Sequence, residues 1–149
     1  MATVTGAGFE TTASVLRLLF YHVFTNEEIQ QRLREEIAQA SAKSTDPIQL
    51  KTLEQLPYLT AVLKEGLRLS PGISSRAARI TDKDLSYGDW RIPAGTPVGM
   101  TTLLMHTDEE LFPDPMRFNP DRWMDPTKGK GGDQGFAPFS RGTRMCLGM

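Results

Sequence analysis

The chain has 149 residues, 39% hydrophobic and 23% charged, which is the range of an ordinary globular domain and excludes a disordered or fibrous sequence. Its 17 basic and 18 acidic residues leave a net charge of -1, so no overall field draws the chain to nucleic acid or to an anionic membrane. A single cysteine excludes an intramolecular disulfide, and no apolar run reaches the roughly 18 to 20 residues of a membrane span; the longest, Leu18 to Phe24, is broken by His22.

Met1 to Thr5 has neither the basic nor the apolar region of a secretory signal, so no address is readable there. Phe9 to Phe24 contains no proline, and Val15, Leu16, Leu18, Leu19 and Val23 cover a broad face, predicting a helix buried on most sides. Thr5-Gly6-Ala7-Gly8 leads into it without a visible N-terminal cap, the pattern of a longer helix entered partway along. Thr25 with Glu28 predicts a capping box that opens a second helix, whose apolar stripe is Ile29, Leu33 and Ile37. Ser41 to Pro47 reads as a loop. Pro57 opens a third helix over 57–69 with Leu59, Val62, Leu63 and Leu67 on one side, and Ser70-Pro71 ends it.

Between Asp84 and Thr102 helical periodicity gives way to three short predicted strands, Leu85-Ser86-Tyr87, Trp90-Arg91-Ile92 and Val98-Gly99-Met100, with a turn at Pro93-Ala94-Gly95. Residues 112–138 carry too many prolines and glycines for regular structure, yet Phe118, Trp123 and Phe136 are available to anchor them as an ordered loop. The expected fold class is mainly α with a small β-sheet (α+β).

The densest pattern is Phe139-Ser140-Arg141-Gly142-Thr143-Arg144-Met145-Cys146-Leu147-Gly148, or Phe-x-x-Gly-x-Arg-x-Cys-x-Gly. Taken alone, Cys146 reads as a small buried hydrophobe, the usual state of a free cysteine. Accidental occurrence of all the fixed positions is on the order of one in a million or rarer per window. The segment resembles the haem-binding signature of the cytochrome P-450 family. That resemblance implies Cys146 as the thiolate ligand of the haem iron, pushing electron density toward the opposite face and favouring O–O cleavage. It also implies Gly142 and Gly148 where the backbone turns tightly beneath the macrocycle, Arg144 on a haem propionate, and Phe139 packed beside the sulfur.

Glu65-Gly66-Leu67-Arg68 is similar to the family's Glu-x-x-Arg, whose spacing puts both side chains on one helix face. By residue type alone this is also an exposed helical ion pair worth about 0.3 to 0.5 kcal/mol. Phe118-Asn119-Pro120-Asp121-Arg122-Trp123 resembles the family segment that supplies a third partner, here Arg122, so that Glu65, Arg68 and Arg122 lock the cysteine loop. Ala7-Gly8-Phe9-Glu10-Thr11-Thr12 is similar to the family's oxygen-binding motif on its central helix, which covers 1–24 here. Glu10 and Thr11 would then relay protons to the iron-bound oxygen, with Gly8 leaving room for dioxygen; without the resemblance the same residues read as a helix-start cluster. Arg79, or Arg76, resembles a propionate partner, and a solvated arginine fits equally. Gly72 to Ser75 would line the substrate pocket. His22 and His106 lack metal-ligand spacing and read as structural, and Asp108-Glu109-Glu110 reads as a solvated face.

The resemblance spans essentially the whole chain and about the last third of a complete family member, entering inside the central helix and stopping at Met149. The expected fold is therefore a C-terminal part of the cytochrome P-450 fold, truncated at both ends. The implied activity is a haem-thiolate monooxygenase inserting one atom of dioxygen into an apolar small molecule, using haem b and NADPH-derived electrons from an NADPH-cytochrome reductase. The wording around the motifs resembles filamentous-fungal members that oxidise terpenoid or polyketide secondary metabolites, whose complete forms are expected at the endoplasmic reticulum membrane. The alternative is a truncated, catalytically inactive remnant of such an enzyme. No nucleic-acid partner and no membrane span are expected.

Overall fold

The structure is a computed structural model that describes residues 2–42, 48–125 and 135–148. The loop expected over residues 41–47 therefore falls mostly outside the described residues, as does part of the 112–138 segment. Among the described residues, α-helices and one hairpin follow in chain order: α1 (Ala2–Thr25), α2 (Glu27–Ala42), α3 (Leu50–Leu53), α4 (Pro57–Leu69), β1 (Leu85–Tyr87), β2 (Trp90–Ile92) and α5 (Thr102–His106). The class is mainly α with a small sheet.

Helix α1 presents Val15, Leu18, Leu19, His22 and Val23 at helical spacing, and this single stripe faces the core. Leu19 joins Ile29 and Leu33 of α2, Tyr58 and Val62 of α4, and Phe118 in one buried cluster. The expectation of burial on most sides does not hold. Phe9, Leu16, Phe20, Tyr21 and Phe24 are exposed, because α2 and α4 cover only one side of α1 among the described residues. No helix of the described residues is long and apolar enough to cross a membrane.

The junction between α1 and α2 also differs from expectation. Thr25 belongs to α1 and its hydroxyl donates back to the Tyr21 carbonyl at 2.7 Å, so it is not a cap. The capping residue is Asn26, whose Oδ1 accepts the Ile29 amide at 3.2 Å. Helix α4 begins at Pro57, which suits the first turn, yet its N-terminal amides are satisfied from another helix. The Glu36 carboxylate of α2 accepts the Tyr58 and Leu59 amides, both at 2.8 Å, placing negative charge at the positive end of α4.

Helices α1 and α4 approach closely at Gly66, where a Cβ would overlap the Leu19 side chain. The Ser14 and Ser70 hydroxyls, 3.0 Å apart, join α1 to the residue that ends α4. Beyond α4, β1 and β2 pair antiparallel with Leu85 opposite Ile92 and Tyr87 opposite Trp90, turning at Gly88 with φ 54°. The third expected strand, Val98-Gly99-Met100, does not form. Val98 makes only an isolated antiparallel bridge with Arg79, since Gly99 lies so near the Ala77 carbonyl that the chain continues there without a side chain.

Replacing Gly66 by Val should force Leu19 out of its site and lower stability by about 1 to 3 kcal/mol, the usual cost of overpacking. Urea unfolding monitored by helix content checks this, and an unchanged midpoint would contradict the close approach.

Candidate functional site

The site is organised around a carboxylate with no solvent contact. Glu65 and Arg68, one turn apart on α4, both have side chains at 0% exposure. They are not the exposed surface pair that residue type alone allows. Arg68 binds Glu65 in a fork, Nε to Oε2 at 2.9 Å and Nη2 to Oε1 at 2.8 Å. Arg122, in the 3-10 turn Pro120–Trp123, donates from Nε to Glu65 Oε1 at 3.0 Å, so the structure brings Glu65, Arg68 and Arg122 together.

Two further donors reach the same carboxylate, the Asn119 amide to Oε1 at 3.0 Å and the Trp123 indole N–H to Oε2 at 2.9 Å. Neither is evident from spacing, although a buried Trp needs a partner for its N–H, and that is the signal available for Trp123. The remaining Arg122 donors go to the carbonyls of Pro113, at 3.0 Å, and Asp114, at 3.4 Å. Arg32 of α2 pairs with Asp121 at 2.9 Å and lies over the Tyr58 ring, which ties the 3-10 turn to α2 and α4.

His106, read as structural from its lack of metal-ligand spacing, is structural by contact. It is fully buried at the end of α5, its carbonyl accepting Arg68 Nη1 at 2.6 Å and its Nδ1 lying 3.0 Å from the Arg68 carbonyl. On its other edge Nε2 accepts the Ala137 amide at 3.1 Å. The ring stacks on Phe136 and meets Phe112 edge-on. His22 is structural by contact, stacked on Phe118 with ring centroids 4.3 Å apart.

Ala137 opens the segment that carries Cys146. Ser140 returns an amide to the Ala137 carbonyl at 3.0 Å, Met145 to Gly142 at 3.1 Å, and Cys146 to Phe139 at 2.9 Å. Ser140 and Gly142 adopt positive φ, 63° and 78°, so the chain doubles back twice within this short stretch. Phe139 is half-buried, whereas Gly142, Arg144, Cys146 and Gly148 are exposed. A side chain at Gly148 would lie 3.8 Å from the Cys146 sulfur. The bland reading of Cys146 as a buried hydrophobe therefore fails. Among the described residues no group of three or more His, Cys, Asp or Glu could enclose a metal ion. A metal on this thiol would have to bring its other ligands with it, as the iron of a macrocycle does, so the donor set fits haem.

Glu10 and Thr11 do not form a pair. Thr11 donates to the Ala7 carbonyl at 2.7 Å, and Glu10 faces Arg17 at 3.9 Å, because a helical threonine finds the carbonyl four residues back before a neighbouring side chain. Thr11 does sit against Gly72, where a Cβ would be 2.9 Å from the Thr11 methyl, bringing α1 to the Gly72–Ser75 stretch. Arg79 is exposed, bridges Val98 through its backbone and turns its guanidinium to the Ala77 and Ala78 carbonyls, both at 3.4 Å. Asp108, Glu109 and Glu110 are solvated, with Asp108 capping the Glu110 and Leu111 amides.

Burial by itself pushes the Glu65 carboxyl up, but hydrogen bonds from Arg68 and the Asn119 amide, with the charges of Arg68 and Arg122, hold it below the usual carboxylate value. Burial pushes the His106 imidazole down, with the Arg68 charge adding to it against the Arg68 carbonyl and Glu65.

A sequence-family model described as Cytochrome P450 matches residues 1–149. The cytochrome P450 monooxygenase tndB of Aspergillus flavipes is 44% identical over 146 residues, 97% of this chain and 30% of that protein. N-acetyltryptophan 6-hydroxylase ivoC of Emericella nidulans is 41% identical over 152 residues, 99% of this chain and 30% of its own length. The cytochrome P450 monooxygenase TRI4 of Fusarium sporotrichioides is 42% identical over 144 residues, 95% of this chain and 28% of its own. The chain thus spans less than a third of the length of these fungal relatives.

Glu65→Gln should cost about 3 to 5 kcal/mol, because it strands two guanidinium groups against a neutral amide in a dry site. Since the folded carboxyl lies below its ordinary 4.5, its contribution is complete above that value and lost as pH falls through it. Denaturant titrations at several pH values should show the acid loss in the wild type and its reduction in the Gln variant.

Proposed function

The chain belongs to the cytochrome P450 family, and we propose that it forms the cysteine-ligand part of a haem-thiolate monooxygenase that inserts one oxygen atom of dioxygen into an apolar small molecule. The observation that carries this reading is the burial of the Glu65–Arg68 pair together with its hydrogen-bonded path through His106 to Ala137, at the root of the Cys146 loop. A fully desolvated ion pair is costly to form and is a poor way to gain stability. It earns its place by fixing geometry, and the geometry it fixes leads to an exposed thiol.

In this reading Cys146 Sγ would hold the iron of haem b, which would supply the activation of dioxygen. The positive-φ turns at Ser140 and Gly142 keep the loop narrow enough to lie under a flat ring. Phe139 limits water at the sulfur, which tunes the potential, while Arg144 and Arg79 supply cationic donors for the propionates. Arg144 is exposed, and Arg79, also exposed, would exchange its long contacts to the Ala77 and Ala78 carbonyls for such a partner.

Thr11 holds its hydroxyl proton on the Ala7 carbonyl, and a rotation about its Cα–Cβ bond re-aims that proton away from the helix. Glu10, exposed one residue before it, supplies the acid of the relay. Gly72 to Ser75, beside Thr11, border the substrate. Electrons come from NADPH through a reductase, and the endoplasmic reticulum membrane is the site expected of a complete fungal relative. The motif wording supports oxidation of a terpenoid or polyketide secondary metabolite as the substrate class, and the relatives are fungal monooxygenases, one of them named as a hydroxylase of N-acetyltryptophan.

Haem-loaded protein, reduced under carbon monoxide, should give a thiolate-type Soret band that Cys146→Ser removes; persistence of the band in that variant would reject Cys146 as ligand. Thr11→Ala should leave the spectrum intact and lower the product formed per NADPH consumed, and unchanged coupling would remove Thr11 from the relay.

A further inference from the structure

His106 makes two hydrogen bonds that together allow only one protonation state. The Ala137 amide can only donate, so Nε2 must carry a lone pair, and the Arg68 carbonyl can only accept, so Nδ1 must carry the hydrogen. The neutral Nδ1–H tautomer is the only form that satisfies both. An imidazolium would set one N–H against another at Ala137 and break that contact. The charges facing the ring are both on α4, the Arg68 guanidinium and the Glu65 carboxylate, while Phe112 and Phe136 close it off from the loop side.

We propose that His106 is a positioning residue for the Cys146 loop, carrying the placement of Arg68 to the Ala137 backbone as a neutral bridge that acid breaks. It rests on the reading of Cys146 as the haem ligand. The path is short and continuous. Arg68 is gripped by Glu65 and by the His106 carbonyl, the imidazole spans from the Arg68 carbonyl to the Ala137 amide, and the Ala137 carbonyl takes the Ser140 amide that starts the loop. Phe136, one residue earlier, stacks on the same ring with centroids 5.6 Å apart, so the imidazole holds the root of the loop by a face and an edge. Glu65 also holds Trp123, whose ring packs 4.8 Å from Phe136. The loop root is therefore gripped from both sides of the lock.

The sign of the pH effect follows. The imidazole is held below its ordinary 6.5 when folded, so the neutral bridge persists in the folded protein through that value and is lost as pH falls through the lowered folded value.

Amide hydrogen exchange at Ala137, read against the α4 amides of Val62 and Leu63 in the same molecule, tests the bridge with no haem present. His106→Phe keeps the stack and removes both hydrogen bonds, and should speed Ala137 exchange about tenfold relative to α4, as expected for one lost buried hydrogen bond. His106→Gln retains an acceptor that does not titrate, and should keep Ala137 within about twofold of wild type while losing the extra acceleration expected of the wild type as pH falls through the lowered imidazole value. Equal acceleration of Ala137 and α4 in His106→Phe, or a wild-type acid response in His106→Gln, overturns the bridge. In haem-loaded protein, His106→Phe should also convert from thiolate-type to thiol-type spectrum about tenfold faster on acidification; wild-type conversion despite raised Ala137 exchange overturns the positioning of Cys146. Failure of haem to bind at all would count against the ligand reading alone, since the exchange result stands without it.

Discussion

A carboxylate removed from water is stable only while its oxygens are filled, and Glu65 meets that demand with donors from two separate stretches of chain, α4 itself and residues 119–123. Its own helix gives both Arg68 contacts, the backbone gives the Asn119 amide, and the turn after it gives Arg122 and the Trp123 indole. A carboxylate offers about four lone-pair sites, so these contacts exhaust it. Displacing either stretch leaves a buried charge or donor without a partner, so the two hold each other in place.

The helices serve this centre. Gly66, beside Glu65, lets Leu19 press α1 onto α4, and the Glu36 carboxylate of α2 holds the first turn of α4. Arg32 then reaches Asp121 on the turn that supplies Arg122. Helices α1 and α2 thus make the polar and steric contacts that fix α4 and the turn facing it. On the other side Arg68 and His106 exchange hydrogen bonds in both directions, so α5, only a few residues long, is held by contacts rather than by its own helical bonds.

The sequence was legible where a local rule coincides with the tertiary answer. Glu65 and Arg68 lie three apart on a helix opened by Pro57, a spacing that can only put them on one face, and the stripe of Ile29 and Leu33 is buried as its period requires. The Phe139 to Gly148 pattern marked the cysteine loop without any periodicity. The failures have physical reasons. Thr25 has the right chemistry for a cap, but α1 continues through it and Asn26 competes successfully. The width of apolar residues on α1 overstated its burial, since a sequence does not say how many neighbours cover a helix. Glu10 and Thr11 are adjacent in the chain and point to different partners. His106 gave no sign of its role because both of its imidazole partners are backbone groups, which leave no trace in side-chain spacing.

Under the proposed reading the thiol loop is only as well placed as the Arg68 guanidinium. Arg68 addresses Glu65, the His106 carbonyl and, at 3.4 Å, the Arg117 carbonyl from one rigid plane. A lysine keeps the charge and cannot span those acceptors. Haem content of the Arg68→Lys protein after purification therefore separates geometry from charge: loss of most of the haem with the helices intact is the expected result, and wild-type haem retention would contradict the dependence of the loop on this side chain.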